Sequence, residues 1–169
     1  MKTLRLSFIA LAGCVGLLSC SDDDSDNNNN NGNEVAGTYN LTMVSISEQI
    51  DFDQDGTANS DLMLESPCYL DSHIMINDDG TYTSEYSYVF HESETGCTTE
   101  TQEGTWDTEG DNLMLTNESM WPTPTPVSYT REGNTLILTM EEAPYPDRDE
   151  QNQPIYTTGE VILTYTKVE

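Results

Sequence analysis

Between residues 51 and 61 the chain reads Asp51-Phe52-Asp53-Gln54-Asp55-Gly56-Thr57-Ala58-Asn59-Ser60-Asp61. Alternate aspartates with a glycine at the sixth place are what a Ca²⁺ loop requires, because several oxygens must converge on one ion while the chain turns sharply. The spacing assigns side-chain oxygens to Asp51, Asp53 and Asp55, a main-chain carbonyl to Thr57, and Asn59 or Asp61 to the far side. It departs from a helix-flanked Ca²⁺ loop at the twelfth place, where Leu62 stands instead of glutamate, and no flanking helical pattern is present. A bound ion would brace the segment and take no part in catalysis; the competing reading is an Asp/Gly-rich turn held in solvent.

A second set is aromatic: Tyr82, Tyr86, Tyr88, Phe90, Trp106, Trp121 and Tyr129. Core packing is the commoner role for such a stripe, and a pocket lining for a sugar or lipid the more specific one. Tyr86, Tyr88 and Trp121 are the candidate ligand contacts, Trp121 because it lies in the proline-stiffened stretch Ser119-Met120-Trp121-Pro122-Thr123-Pro124-Thr125-Pro126. Catalytic signatures are missing: His73 and His91 are the only histidines, and neither belongs to an HExxH or GxSxG motif. Carboxylate pairs carry little information where 31 of 169 residues are acidic. The chain therefore reads as a non-enzyme.

The elements that must position these residues begin with a leader. Lys2 and Arg5 precede a mostly apolar run from Leu6 to Leu18, which matches a secretory signal and is too short to span a bilayer. Leu17-Leu18-Ser19-Cys20 resembles the lipobox of bacterial lipoproteins, which implies removal of residues 1–19 and acylation of Cys20. Leu11-Ala12-Gly13-Cys14 is a rival match, but cutting there leaves too short an apolar run. Without the leader, three basic residues face 31 acidic ones, a net charge of −28. Nucleic acid is excluded as a general partner, and so is electrostatic attachment to an anionic membrane.

Residues 21–33 contain nothing apolar and include five consecutive asparagines, so residues 20–33 read as a lipidated cysteine on a disordered tether. The acidic run Ser21 to Asp26 resembles a surface-export signal of Gram-negative lipoproteins, which implies an outer-membrane, cell-surface address with the membrane reached through the N-terminal lipid. Cys68 and Cys97 then remain, in an oxidising compartment, and should pair.

From Val35 onward the apolar period is two. Tyr82, Ser84, Tyr86 and Tyr88 alternate with Thr83, Glu85, Ser87 and Val89; Leu136, Leu138 and Met140 repeat the pattern, as do Val161, Leu163 and Tyr165. Eight strands are expected, near 35–46, 68–77, 81–91, 101–108, 112–117, 127–132, 135–141 and 155–167. Tight turns at 78–80, 109–111 and 133–134 alternate with long connections at 47–67, 92–100, 118–126 and 142–154. In an up-and-down meander the long loops then gather at one end, with Cys68 and Cys97, and the N-terminus lies at the other. A membrane-embedded barrel would need a continuous apolar outer band, which the Thr81, Thr83, Glu85, Ser87 face does not supply.

Ala36-Gly37-Thr38-Tyr39-Asn40-Leu41, Asp51 to Glu65 followed by Pro67-Cys68, Asp79-Gly80-Thr81-Tyr82 and Glu103-Gly104-Thr105-Trp106 together resemble the lipocalin-like domains of bacterial surface lipoproteins. That resemblance implies, for residues 34–169, an all-β, eight-stranded antiparallel meander closing into a small barrel. The leading functional reading is a non-enzymatic binding module, taking a small apolar or glycan ligand, or a partner envelope protein, at the loop-rich mouth. The alternative is a structural or accessory subunit of an envelope complex; a hydrolase ranks third.

Overall fold

The computed structural model describes residues 34–89, 96–117 and 124–168. The leader at 1–19, Cys20, the tether, Phe90, His91 and Trp121 lie outside the described residues. Nine strands form one antiparallel sheet: β1 (Gly37–Ile50), β2 (Asn59–Asp61), β3 (His73–Ile76), β4 (Thr81–Val89), β5 (Cys97–Glu109), β6 (Asn112–Thr116), β7 (Val127–Glu132), β8 (Thr135–Arg148) and β9 (Pro154–Lys167). Consecutive strands pair from β3 to β9, β1 pairs with β3, and β1 also pairs with β9 from Tyr39↔Lys167 to Ile46↔Val161. The eight strands other than β2 therefore close into a barrel, and β2 is a short addition to the far end of β1.

Two bulges decide which side chains enter the barrel. In β1 the register against β9 shifts between Leu41 and Met43. Thr42 is the extra residue, and its hydroxyl donates to the Thr164 carbonyl at 3.1 Å. Inward positions consequently change parity, from Tyr39 and Leu41 to Val44 and Ile46, all buried. In β8 the shift falls between Met140 and Ala143, and Leu136 hands the inward face to Ala143 and Tyr145.

This second bulge corrects the expectation of a long loop at 142–154. The strand continues to Arg148, pairs through Arg148↔Pro154, and turns only at 149–153. Glu141 and Glu142 interrupt the apolar alternation, and Pro144 and Pro146 read as loop residues. Their shared parity places both ring nitrogens on one edge of a strand whose pairing with β7 covers only Thr135–Ile137, so no ladder donor is lost there. Similarly, β5 begins at Cys97, earlier than expected, and the 47–67 connection holds β2 and a short helix, α1 (Leu62–Glu65).

The expected polarity holds. Tight turns at Gly80, Gly110 and Gly133 gather at one end with Gly37, which pairs with Ile76, and with Lys167, whose N–H donates to Asn134. Gly110 and Gly133 both sit at φ 61°, which an L side chain rarely adopts. Trp106 seals this end, its indole N–H donating to the Asn77 carbonyl at 2.8 Å. At the opposite end Cys68 and Cys97 form the expected disulfide, closing 29 residues of chain, with Cα atoms 5.2 Å apart. Such a loop stabilises by about 3–4 kcal/mol.

Gly104 is required for a different reason. A Cβ there would stand 2.0 Å from the Thr116 carbonyl oxygen, on the neighbouring strand β6. Gly104→Ala is expected to lower unfolding free energy by about 2–3 kcal/mol, as an overpacked core site does, against less than about 0.5 kcal/mol for Glu103→Ala on the exposed face. Urea denaturation of the two variants measures the difference, and equal midpoints would refute it.

Candidate functional site

The mouth of the barrel is built by unequal strands. β1, β8 and β9 each run 14 residues and β5 runs 13, whereas β6 and β7 have five and six. The long strands rise past the short ones, and between them lies a cavity of about 520 Å³. Tyr86, Tyr88 and Val89 of β4 form one wall, Met140, Ala143, Pro144 and Pro146 of β8 another, and Tyr156 and Val161 of β9 a third; Tyr69 closes it from the 3-10 turn at Pro67–Tyr69. Glu100 is the one charged lining residue.

The upper half of β4 shows why these side chains are held in place. Ser72 Oγ accepts from the Ser87 N–H at 2.9 Å and donates to the Ser87 carbonyl at 3.3 Å. This contact and the disulfide cover Ser87 and Val89, which the two-residue period expects to face solvent. Both parities of β4 are therefore enclosed near the mouth, and the tyrosines on the other side are pinned. The Tyr86 and Tyr88 rings stack with centroids 5.5 Å apart, and Tyr69 leans on Tyr86 at 6.3 Å. Tyr88 donates to Glu100 Oε1 at 2.8 Å, and Tyr156 donates to the Val89 carbonyl.

Tyr86 and Tyr88, expected ligand contacts, are thus brought together in one cavity; Trp121, the third, lies outside the described residues. Tyr82 and Tyr129 are core residues and Trp106 belongs to the closed end. Sequence reasoning did not single out Tyr69 or Tyr156. Tyr156 was legible as an aromatic on β9, whereas Tyr69 is placed by a 3-10 turn with no periodicity of its own.

The hydroxyls of Tyr69 and Tyr86 make no hydrogen bond to a described residue. Burial pushes both phenols above their ordinary value of 10.0, with the neighbouring phenols Tyr86 and Tyr156 contributing to the rise at Tyr69, and Tyr156, Tyr88 and Glu100 to that at Tyr86. Burial raises Tyr129 and Tyr165 likewise. These phenols stay neutral at any physiological pH, and of the four only Tyr69 and Tyr86 line the cavity.

The acidic segment lies beside this mouth. Asp51, Asp53 and Glu65 bring one carboxylate oxygen each within 4.8 Å of one another. The other expected ligands have different local roles. Asp55 Oδ1 accepts from the Thr57 N–H at 2.7 Å, and the Thr57 carbonyl accepts from the Asn59 amide at 3.2 Å. Asp61 caps α1, its Oδ1 accepting from Met63 and Val44 N–H groups, each at 3.1 Å. Glu65, three residues beyond the twelfth place of the loop, was not singled out from the sequence because α1 is too short to show a helical period.

Residues 35–138, more than half of the chain, match the lipocalin-like domain, and the chain belongs to that family. No curated protein and no solved structure matches it. The family match stops at Leu138, short of the bulged half of β8 and of β9, which supply six of the cavity's lining residues.

The phenols make a pH prediction. Their folded-state values are raised, so the stability they contribute is fully present below the unfolded phenol value near pH 10 and is lost as pH rises beyond it. Alkaline titration followed by absorbance at 295 nm and near-ultraviolet circular dichroism should show the last phenolates appearing together with loss of tertiary signal. Complete ionisation of all nine tyrosines around pH 10 with that signal intact would contradict the burial.

Proposed function

We propose that the protein is a non-enzymatic binding module that captures a small, largely apolar ligand in the cavity at the barrel mouth. The single observation that carries this reading is the cavity itself. Its roughly 520 Å³ exceeds the ~300 Å³ at which small-molecule sites begin, and its walls are aromatic and aliphatic with few convergent polar groups. A barrel filled by its own tyrosines would instead have favoured docking of a partner protein on the rim.

The polar groups narrow the class of ligand. Tyr69 and Tyr86 offer hydroxyls to oxygen atoms of a guest, while Glu100 and the net charge of −26 disfavour anions such as fatty acids. An uncharged amphiphile with one or two oxygen functions fits best. The N-terminal lipobox resemblance and acidic tether support an address on the outer membrane, anchored through Cys20 and facing outward. With the N-terminus at the tight-turn end, that tether leaves from the end opposite the cavity.

The test is a cavity-filling variant. Ala143 is 8% exposed and lines the cavity from β8. An uncharged apolar dye, N-phenyl-1-naphthylamine, is expected to bind the wild-type protein saturably, and Ala143→Trp to weaken it at least about tenfold, as loss of a contact worth roughly 1.4 kcal/mol would. Absence of saturable binding by the wild type, or unchanged affinity in the variant, would refute this reading.

A further inference from the structure

The cavity does not account for the Asp51–Glu65 segment. Three carboxylates converge there, one from each side of Phe52 and one from α1. Glu65 is 2% exposed, among the most enclosed polar residues of the core, and no ion pair joins any of the three among the described residues. Its Oε2 accepts from the Phe52 N–H at 2.7 Å and its Oε1 from the Asn59 amide at 2.6 Å. These neutral donors orient the carboxylate without neutralising it.

Asp51 is the telling residue. Its Oδ2 accepts from the Gly56 N–H at 3.1 Å, but its Oδ1 is shut off from solvent and receives no hydrogen bond from any described residue. A buried carboxylate oxygen without a protein donor is costly, and a cation is a partner that removes the cost. The donors are all hard oxygens, with no histidine or cysteine among them, two on an irregular loop and one at the end of a single helical turn. That favours Ca²⁺ over Zn²⁺, and over Mg²⁺ with its demand for regular octahedral geometry.

We infer that Asp51, Asp53 and Glu65 form a Ca²⁺ site at the barrel mouth, with Glu65 as the carboxylate that the loop spacing alone does not reveal. The site is tied to the cavity wall through Phe52, whose carbonyl accepts from Arg148 Nε at 2.7 Å and whose ring lies 4.9 Å beneath the Arg148 guanidinium. A bound ion therefore braces the β8–β9 hairpin. This inference is independent of what the cavity binds.

Isothermal titration and native mass spectrometry of the chelator-treated protein with CaCl₂ test it. One Ca²⁺ per chain is expected, with affinity on the order of 10⁻⁴ M as in extracellular modules, and a rise in Tm. Asp51→Asn and Glu65→Gln should each weaken binding at least about tenfold, whereas Asp55→Asn, which keeps the acceptor for the Thr57 N–H, should change it less than about threefold. Circular dichroism in chelator checks folding, and if Glu65→Gln unfolds, Asp51→Asn decides. No Ca²⁺ uptake by the wild type at millimolar concentration, or Asp55→Asn weakening binding as much as Asp51→Asn, would overturn the assignment.

Discussion

Everything at the mouth depends on the closure of the sheet between β1 and β9. An open sheet of this length leaves two unpaired edges and two faces to cover, whereas pairing Tyr39–Ile46 with Val161–Lys167 gives one interior and removes the edge problem around most of the ring. Closure also imposes a condition: strands of 14 residues cannot stay in register with strands of five around a narrow barrel. The bulges at Thr42 and at Glu141–Glu142 meet it, each adding one residue and turning the strand's inward face by one parity. The surplus length of β1, β8 and β9 then stands above β6 and β7 as a one-sided wall, and the cavity is the space beneath it.

Much of this was legible in the residues. Period-two runs marked the strands, Asp-Gly and Gly-Asn turns marked the closed end, and alternation of short and long connections put Cys68 and Cys97 on the same side. The bulges were not legible, because an extra residue in a strand resembles the end of one. Glu141, Glu142, Pro144 and Pro146 therefore read as a loop although they belong to β8. The same limit applies to the acidic segment. Asp51 and Asp53 were identified by spacing, but Asp61 is drawn to the N-terminus of α1 and Glu65 is delivered by that helix, which has only four residues. A helix of one turn is fixed by its tertiary contacts and carries no period that a sequence can display.

The charge distribution joins the two sites. Arg131, Arg148 and Lys167 are the only basic side chains after the leader, and none forms an ion pair with a carboxylate among the described residues. Arg131 donates to the Gly110 carbonyl at 2.9 Å, Arg148 to those of Phe52 and Asn152, and Lys167 to that of Glu34 at 2.8 Å. All three cations tie chain segments together through backbone oxygens, so neutralising the acidic surface falls to ions from outside. At an effective dielectric near 20, two unit charges about 5 Å apart repel by about 3 kcal/mol, which is the scale of the disulfide's contribution. At the enclosed Glu65 solvent screens little of this; Asp51 is half-buried, and Asp53, at the surface, is largely relieved by water. A divalent ion at the proposed site would turn the repulsion into attraction close to the point where Phe52 meets Arg148, and so would act on the hairpin whose Ala143, Pro144 and Pro146 shape the cavity. A field that would favour a cation at the loop would equally disfavour anionic guests at the tyrosines, so one uneven distribution of charge bears on both of the proposed occupants of the mouth.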